Sequence, residues 1–446
     1  MHGSFAVPET LLGVNTMVVT TAILIATYVA IMTERMNRAI VALLGAGVMI
    51  VIGALDQDEA VRGIDFNTIA LLIGMMILVA ITRKCGVFQY VAILSAQWVK
   101  ANPPGIIAML AVVTAVFSAF LDNVTTVLLV APVTLAIARE LEIPPYPLLF
   151  AEIFASNIGG TATLIGDPPN ILIGSLVDLS FNDFVLNLSP IIVIVMAAQT
   201  LMIHLVWGKD LHADPAHRAR IMAMHPADLI TDWRLLKQSI SVLAVVVVTF
   251  VLARPLHLEP GTIAMLGAAV LLFLDNLGHP PETQTERTTH AYNEVEWITI
   301  FFFVGLFVVV HGVEVAGVLK WLADRLLELT GGDRGKTALA ILWASAILSA
   351  IIDNIPFVAT MIPLIKAMGP ALGGPEALMP LWWSLSLGAC LGGNGTLIGA
   401  SANLTVAGIA ERNGVPFRFV TYMKYAFPMM LVSIVISHVY IWWRYL

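Results

Sequence analysis

Gly159-Gly160-Thr161-Ala162-Thr163-Leu164-Ile165-Gly166 is read again, 233 positions later, as Gly392-Gly393-Asn394-Gly395-Thr396-Leu397-Ile398-Gly399. Working outward, Asn170 matches Asn403 at the same offset. Upstream the offset becomes 231, and there Leu121-Asp122-Asn123 matches Ile352-Asp353-Asn354 and Pro132 matches Pro363. Gly74 falls on Gly305, and Gly86-Val87 on Gly317-Val318, without a gap. A glycine-rich octamer and a distant Asp-Asn pair do not recur together by chance. The chain is an internal duplication.

Composition says what kind of duplication. Of 446 residues, 59% are hydrophobic and 12% charged, and the mean hydropathy is +0.89. Soluble domains carry roughly 25% charged residues. Runs such as Val18–Met32, Ile69–Ile81, Val193–Trp207 and Ile240–Ala253, with their flanks, are long enough to cross a hydrocarbon core of about 30 Å. The net charge of −7 carries little weight, because in membrane proteins the distribution of Lys and Arg sets orientation. Residues Met1–Asn15 have no Lys or Arg and no cleavage motif, so no signal peptide is expected. Cys85 and Cys390 are too few for a disulfide framework or a four-ligand metal site. The longest polar stretch, Gly208–Leu235, is too short for a soluble catalytic domain.

The expected fold is an all-α polytopic membrane protein of two inverted repeats, each with five transmembrane helices and a re-entrant helical hairpin. The first repeat, residues 1–207, has helices near 16–33, 38–55 and 66–82, a hairpin over 105–138, a broken helix over 146–178 and a last helix over 189–207. Residues 208–235 form a cytoplasmic linker. The second repeat, 236–446, has helices near 236–253, 259–275 and 296–313, a hairpin over 337–368, a broken helix over 378–410 and a last helix over 426–443. Segments 86–99 and 316–330 read as amphipathic connectors along the interface. Asp122 and Asp353 interrupt apolar runs at their centres, where lipid would penalise the charge. Re-entrant hairpins leave an odd number of crossings per half, which inverts the second half. With both termini periplasmic, the cytoplasmic loops hold most of the 23 Lys and Arg, as the positive-inside bias requires.

Irregular backbone at membrane depth needs protein or a water-filled cavity to satisfy it. The breaks at 159–170 and 392–403 are rich in Gly, Thr and Asn, and Pro168-Pro169 removes two amide donors from the first. Broken half-helices aim their dipoles at bound ions and solutes, so the hairpin tips and breaks are expected to meet at the midplane. Asp122 and Asp353 are the expected ion-coupling residues, since an intramembrane carboxylate binds a cation or titrates. Asp167 is a third candidate without an acidic counterpart, because Ala400 takes the matching place. Asn123, Asn170, Asn354 and Asn403 supply donors and acceptors without charge, and Thr163 and Thr396 add hydroxyls. Thr161 and Asn394 occupy matching positions with different chemistry. Glu152 reads as a buried paired carboxylate and His311 as interfacial. No metal or cofactor is expected beyond a coupling H+ or Na+. An intramembrane aspartyl protease would pair two carboxylates, and Asp122 with Asp167 would have to serve. Only one of these is duplicated, which argues against an enzyme.

The hairpin and break motifs Leu121-Asp122-Asn123-Val124-Thr125, Ile165-Gly166-Asp167-Pro168-Pro169-Asn170 and Ile352-Asp353-Asn354-Ile355-Pro356 resemble the ArsB-type and P-protein branch of the ion transporter superfamily, over about residues 16–443. That superfamily includes NhaD-type sodium/proton antiporters and citrate and dicarboxylate symporters. The resemblance implies two re-entrant hairpins, a scaffold and a moving region, and a homodimer; for an arsenite exporter it adds a soluble ATPase as a candidate partner. Sodium/dicarboxylate members carry Ser-Asn-Thr hairpin tips, and Asp replaces that Ser here. Two extra negative charges repel a polyanion. Every Lys and Arg except Lys366 falls in a loop, a connector or a terminus, so no cation is expected at the site to clamp a carboxylate. The expectation is therefore a secondary active transporter of the bacterial cytoplasmic membrane, exporting arsenite or antimonite by proton coupling. The alternatives are sodium/proton antiport and transport of citrate, a dicarboxylate or an inorganic anion. The partners are a small solute and the lipid bilayer, with no nucleic acid.

Overall fold

The computed structural model describes residues 8–11, 13–33 and 35–446. The stretch expected to lack a signal peptide therefore lies partly outside the described residues. Eighteen main helices fall into two series of nine. The first comprises α1 (Thr16–Met32), α2 (Arg38–Val51), α3 (Phe66–Arg83), α4 (Val87–Trp98), α5 (Pro103–Phe120), α6 (Asn123–Glu140), α7 (Tyr146–Thr161), α8 (Pro168–Val177) and α9 (Phe181–Trp207). The second comprises α10 (Trp233–Val251), α11 (Pro260–Asn276), α12 (Trp297–Val315), α13 (Val318–Thr330), α14 (Arg334–Ile351), α15 (Asn354–Leu372), α16 (Met379–Gly392), α17 (Ser401–Arg412) and α18 (Phe419–Tyr445). Short helices at Gln57–Arg62, Pro215–Ala223 and Pro281–Asn293 lie in connections, and Thr10–Leu11 pairs with Val14–Asn15 as a two-residue antiparallel ladder. Among the described residues, nine helices are long and apolar enough to span a membrane.

The two series repeat their closest helix crossings. A Cβ on Gly74 of α3 would meet Ala264 of α11, and one on Gly305 of α12 would meet Ala42 of α2, each at 2.5 Å. Only glycine lets these helix pairs cross so closely. Gly159 of α7 abuts Ala115 of α5 in the same way as Gly392 of α16 abuts Ala346 of α14. Hydroxyls follow suit. Ser118 donates to Ser156 O and Ser349 to Ala389 O, both at 2.6 Å. Connectors α4 and α13 each start after a glycine at φ +82°.

Both hairpins end at one face each. Lys100 O, at the root of α5, accepts from Arg218 Nη2 at 2.9 Å, and Glu140, at the root of α6, pairs with Arg220 at 3.5 Å. One short linker helix thus touches both roots, so the α5–α6 hairpin turns back at Leu121-Asp122. Arg139 at that root also donates to Asn413, just past α17, at 2.5 Å. At the far end, Asp178 beyond α8 shares one open cavity of about 880 Å³ with Gly369–Met379, the root of the α14–α15 hairpin. The α7–α8 helix runs from the first root to the second, and α16–α17 runs back. This head-to-tail arrangement is what two inverted repeats would produce.

Burial sorts the layers. Helices α7 and α16 are buried over nearly their whole length and form the centre. Helices α9 and α18 bury only a minority of their residues and present exposed Leu201, Leu205, Val435 and Val439 outward. Each is 27 residues long, about 40 Å at 1.5 Å per residue. They begin earlier than expected from sequence, at 181 and 419 rather than 189 and 426. Pro190 and Pro428 each fall at the tenth position of an unbroken helix. In α9 a Ser180–Asp183 capping box secures the polar stretch before the proline.

Candidate functional site

The hairpin tips arise from local chemistry. Asp122 ends α5 and caps α6, accepting from Thr125 N at 2.8 Å and from the Thr125 hydroxyl. Asp353 caps α15 by accepting from Ile355 N at 3.1 Å. A side-chain acceptor at this position satisfies an orphan amide of the first turn. The breaks are built by their asparagines. Asn170 Nδ2 donates to Thr161 O at 3.1 Å and Thr163 O at 2.8 Å; Asn403 Nδ2 donates to Gly393 O at 2.7 Å and Thr396 O at 2.8 Å. Each amide closes the carbonyls that its own broken helix leaves unpaired.

The threonines are spent on the hairpins. Thr163 Oγ1 donates to Ala119 O and Thr396 Oγ1 to Ala350 O, both at 2.5 Å. Thr161 Oγ1 donates back to Asn157 O at 2.7 Å. In this conformation the Thr163 and Thr396 hydroxyls tie break to hairpin, while Thr161 bonds within its own helix.

One amide joins the halves, and sequence reasoning missed it. Asn157 Oδ1 accepts from Asn123 Nδ2 at 3.0 Å, while its Nδ2 donates to Asn394 Oδ1 and Asn403 Oδ1, both at 2.9 Å. Its counterpart is Cys390, whose thiol lies 3.6 Å from Asn170 Oδ1 beside the Ser386 hydroxyl at 2.6 Å. Asn394 is positioned from behind by Tyr422, whose hydroxyl donates to Asn394 O at 3.1 Å. All four central amides are buried.

Charge gathers beside this cluster. Asp122, Asn123, Asp167, Glu296 and Asn354 line one small cavity of about 20 Å³ together with Arg38, Thr299 and Ser401, room for about one water. Asp167 accepts from Asn123 Nδ2 at 3.3 Å; among the described residues its Oδ2 has no hydrogen-bond partner, and Cys390 and Asn354 are close by. No three acidic, His or Cys side chains among the described residues converge to hold a metal ion. Glu152 is fully buried farther along α7, accepting from the Thr134 hydroxyl with its second oxygen unpartnered. Leu385 and Ile365 stand at the matching places. His311 bridges Glu59 at 3.4 Å and Glu314 at 3.2 Å, away from the site.

The expectation that no cation reaches the site is overturned. Arg38 opens α2, and its long side chain extends to the tip of the second hairpin. Nη1 pairs with Asp353 Oδ2 at 3.1 Å and donates to Ser401 Oγ at 2.7 Å; Nη2 donates to Thr299 Oγ1 at 3.1 Å. The guanidinium lies 5.0 Å from the Phe302 ring. Position alone misled, since a residue at a helix start is near the surface only if its side chain points outward. Matching Ala42 to Ala264 places Pro260 opposite Arg38, so the other half has no such cation.

Comparison with known proteins agrees with this architecture. An uncharacterized transporter of Mycobacterium tuberculosis is 42% identical over 432 residues, covering 96% of this chain and 98% of that protein. The human P protein is 34% identical over 516 residues, covering 96% of this chain and 60% of its own length. The crystal structure of the Alcanivorax borkumensis YdaH transporter superposes with a TM-score of 0.58 at 14% identity, over 96% of this chain and 97% of that one. The likeness to the P protein bears out the resemblance read from the hairpin and break motifs. Residues 28–388 match the family model described as citrate transporter, and the chain belongs to that family of multi-pass membrane transporters.

Proposed function

We propose that the protein is a cation-coupled secondary transporter in which H+ or Na+ occupies the acidic cavity at the meeting of hairpins and breaks. One observation carries this reading: Asp122, Asp167 and Glu296 line a single small cavity whose only cationic side chain among the described residues, Arg38, is already engaged by Asp353. Carboxylates held together away from bulk water favour an incoming cation. Cation binding neutralises the cavity, and the amides of Asn123, Asn157, Asn354, Asn394 and Asn403 then hold the solute. Asp353 belongs with Arg38 in this scheme, while Asp122 and Asp167 are the coupling pair.

The leading solute is a small oxyanion or carboxylate, because Arg38 supplies the cation that the sequence seemed to lack. Arsenite or antimonite export is the second reading. It is favoured by the uncharged amide cluster, which suits a neutral hydroxide. Sodium/proton antiport needs the acidic cavity alone. The two halves act as inverted repeats, residues 1–207 and 236–446, in a bacterial cytoplasmic membrane with both termini periplasmic, and the unit is a homodimer. Reconstitution into liposomes tests this. Imposed proton and sodium gradients should drive uptake of citrate, succinate, phosphate or arsenite, and Asp122→Asn with Asp167→Asn should uncouple it. Solute flux indifferent to both gradients would refute the cation-coupled reading.

A further inference from the structure

Arg38 faces two spaces. On one side is the small cavity of about 20 Å³; on the other is a larger vestibule of about 290 Å³. The vestibule is walled by Ile31, Met32, Met36, Ile351, Ile352, Ile398 and Leu404, and its only polar side chains among the described residues are Arg38, Asp353 and Ser401. A solute arriving through this apolar mouth meets those three groups before anything else.

We propose that Arg38 is a receiving site for an oxyanion entering by the vestibule, and that Asp353 fills that site when the carrier is empty. The proposal rests on reading the chain as a carrier, and it does not require cation coupling. A guanidinium presents parallel N–H donors that match a carboxylate or an inorganic oxyanion. Here its plane is backed by Phe302, and the Ser401 and Thr299 hydroxyls stand beside it for further oxygens. The present occupant is itself a carboxylate, held through one oxygen on Nη1.

Asp353 is suited to leave. Its Oδ1 caps α15 through Ile355 N, and only Oδ2 faces Arg38 and, at 3.4 Å, Ser401. It keeps the cap when a ligand takes Oδ2's place. The pair is only partly buried, with Arg38 25% and Asp353 18% exposed, so exchange does not strand a charge in a dry interior. The first hairpin has no equivalent. Asp122 gives both oxygens to Thr125, and Pro260 replaces Arg38. The receiving site is therefore one-sided, at the mouth between α1, the second hairpin and α17.

The test is calorimetric titration of the full-length protein in lipid nanodiscs with citrate, succinate, phosphate and sulfate, and glycerol as a neutral control. Wild type should bind at least one anion and not glycerol; which anion distinguishes a carboxylate from an inorganic ligand. Arg38→Gln should weaken that binding about tenfold or more, equivalent to about 1.4 kcal/mol, and Arg38→Lys less. Asp353→Asn should tighten it by removing the competitor. The double variant Arg38→Gln, Asp353→Asn neutralises both partners, and its unchanged melting would show that lost binding is not lost folding. Anion binding unchanged in Arg38→Gln overturns the proposal. So does wild type binding none of the panel, or Asp353→Asn weakening binding as much as Arg38→Gln. Failure of cation coupling would appear elsewhere, as gradient-independent flux with anion binding intact.

Discussion

Asn157 of the first half donates its side-chain amide to Asn403 of the second at 2.9 Å. Within its own half Asn157 accepts only from Asn123 among the described residues. Asn403 spends its own donors on the Gly393 and Thr396 carbonyls of its break, so its Oδ1 is the acceptor left to reach across. The bond makes the two breaks one structure.

Asn157→Ala should therefore be among the most damaging single changes at the centre. It removes the partner of Asn123, Asn394 and Asn403 together, and each buried polar group left without a partner costs about 1–3 kcal/mol. Thermal melting in detergent should fall by several degrees, and transport should be lost. Asn157→Cys, copying Cys390, should be milder only if the thiol reaches the same amides. Wild-type melting of Asn157→Ala would remove this residue from the framework.

Asp122→Asn should separate coupling from folding. Asparagine caps a helix about as well as aspartate, whereas alanine costs about 1 kcal/mol. The Asn variant should express and melt normally yet lose dependence on the proton or sodium gradient; the Ala variant should lose both. Gradient-driven uptake intact in Asp122→Asn would leave the residue as a cap alone.

The hairpin roots give a topology prediction. In a Cys85→Ser, Cys390→Ser background, single cysteines at Lys100 and Arg139 should be labelled by a membrane-impermeant reagent from the same side. A cysteine at Asp178 should be labelled from the other side. Labelling of Lys100 and Arg139 from opposite sides would mean that the first hairpin crosses the membrane.

Two glycines give a packing test with an internal control. A Cβ at Gly159 would lie 2.2 Å from Ala115 O, and one at Gly392 2.5 Å from Ala346 O. A Cβ at Gly408, in the middle of α17, meets nothing within 4 Å. Gly159→Ala and Gly392→Ala should force α5 from α7 and α14 from α16, with marked loss of folded protein by size-exclusion chromatography. Gly408→Ala should be neutral or stabilising by about 0.4–1 kcal/mol. Equal behaviour of all three would contradict the close crossings.

Much of this was legible because the duplication repeats the features that do local work. The matched pairs Asp122 and Asp353, and Asn170 and Asn403, stand out as a set, though their capping and break-closing bonds come from the structure. What escaped was the unduplicated chemistry. Asn157 pairs with residues 237 and 246 positions away, and matching it to Cys390 gives no hint of a shared role. Arg38 reaches a partner 315 positions off, from a place that looks like a loop. The last helices are expected from sequence to start at 189 and 426, yet Pro190 and Pro428 each sit inside a longer helix.

The cross-links at the centre also say something about descent. Asn157 needs Asn394 and Asn403, Asn170 needs Ser386, and the first hairpin root is tied to Asn413. Neither half encloses a solute alone. Arg38 of one half matches Pro260 of the other, so the duplicated halves no longer place the same charge at the centre.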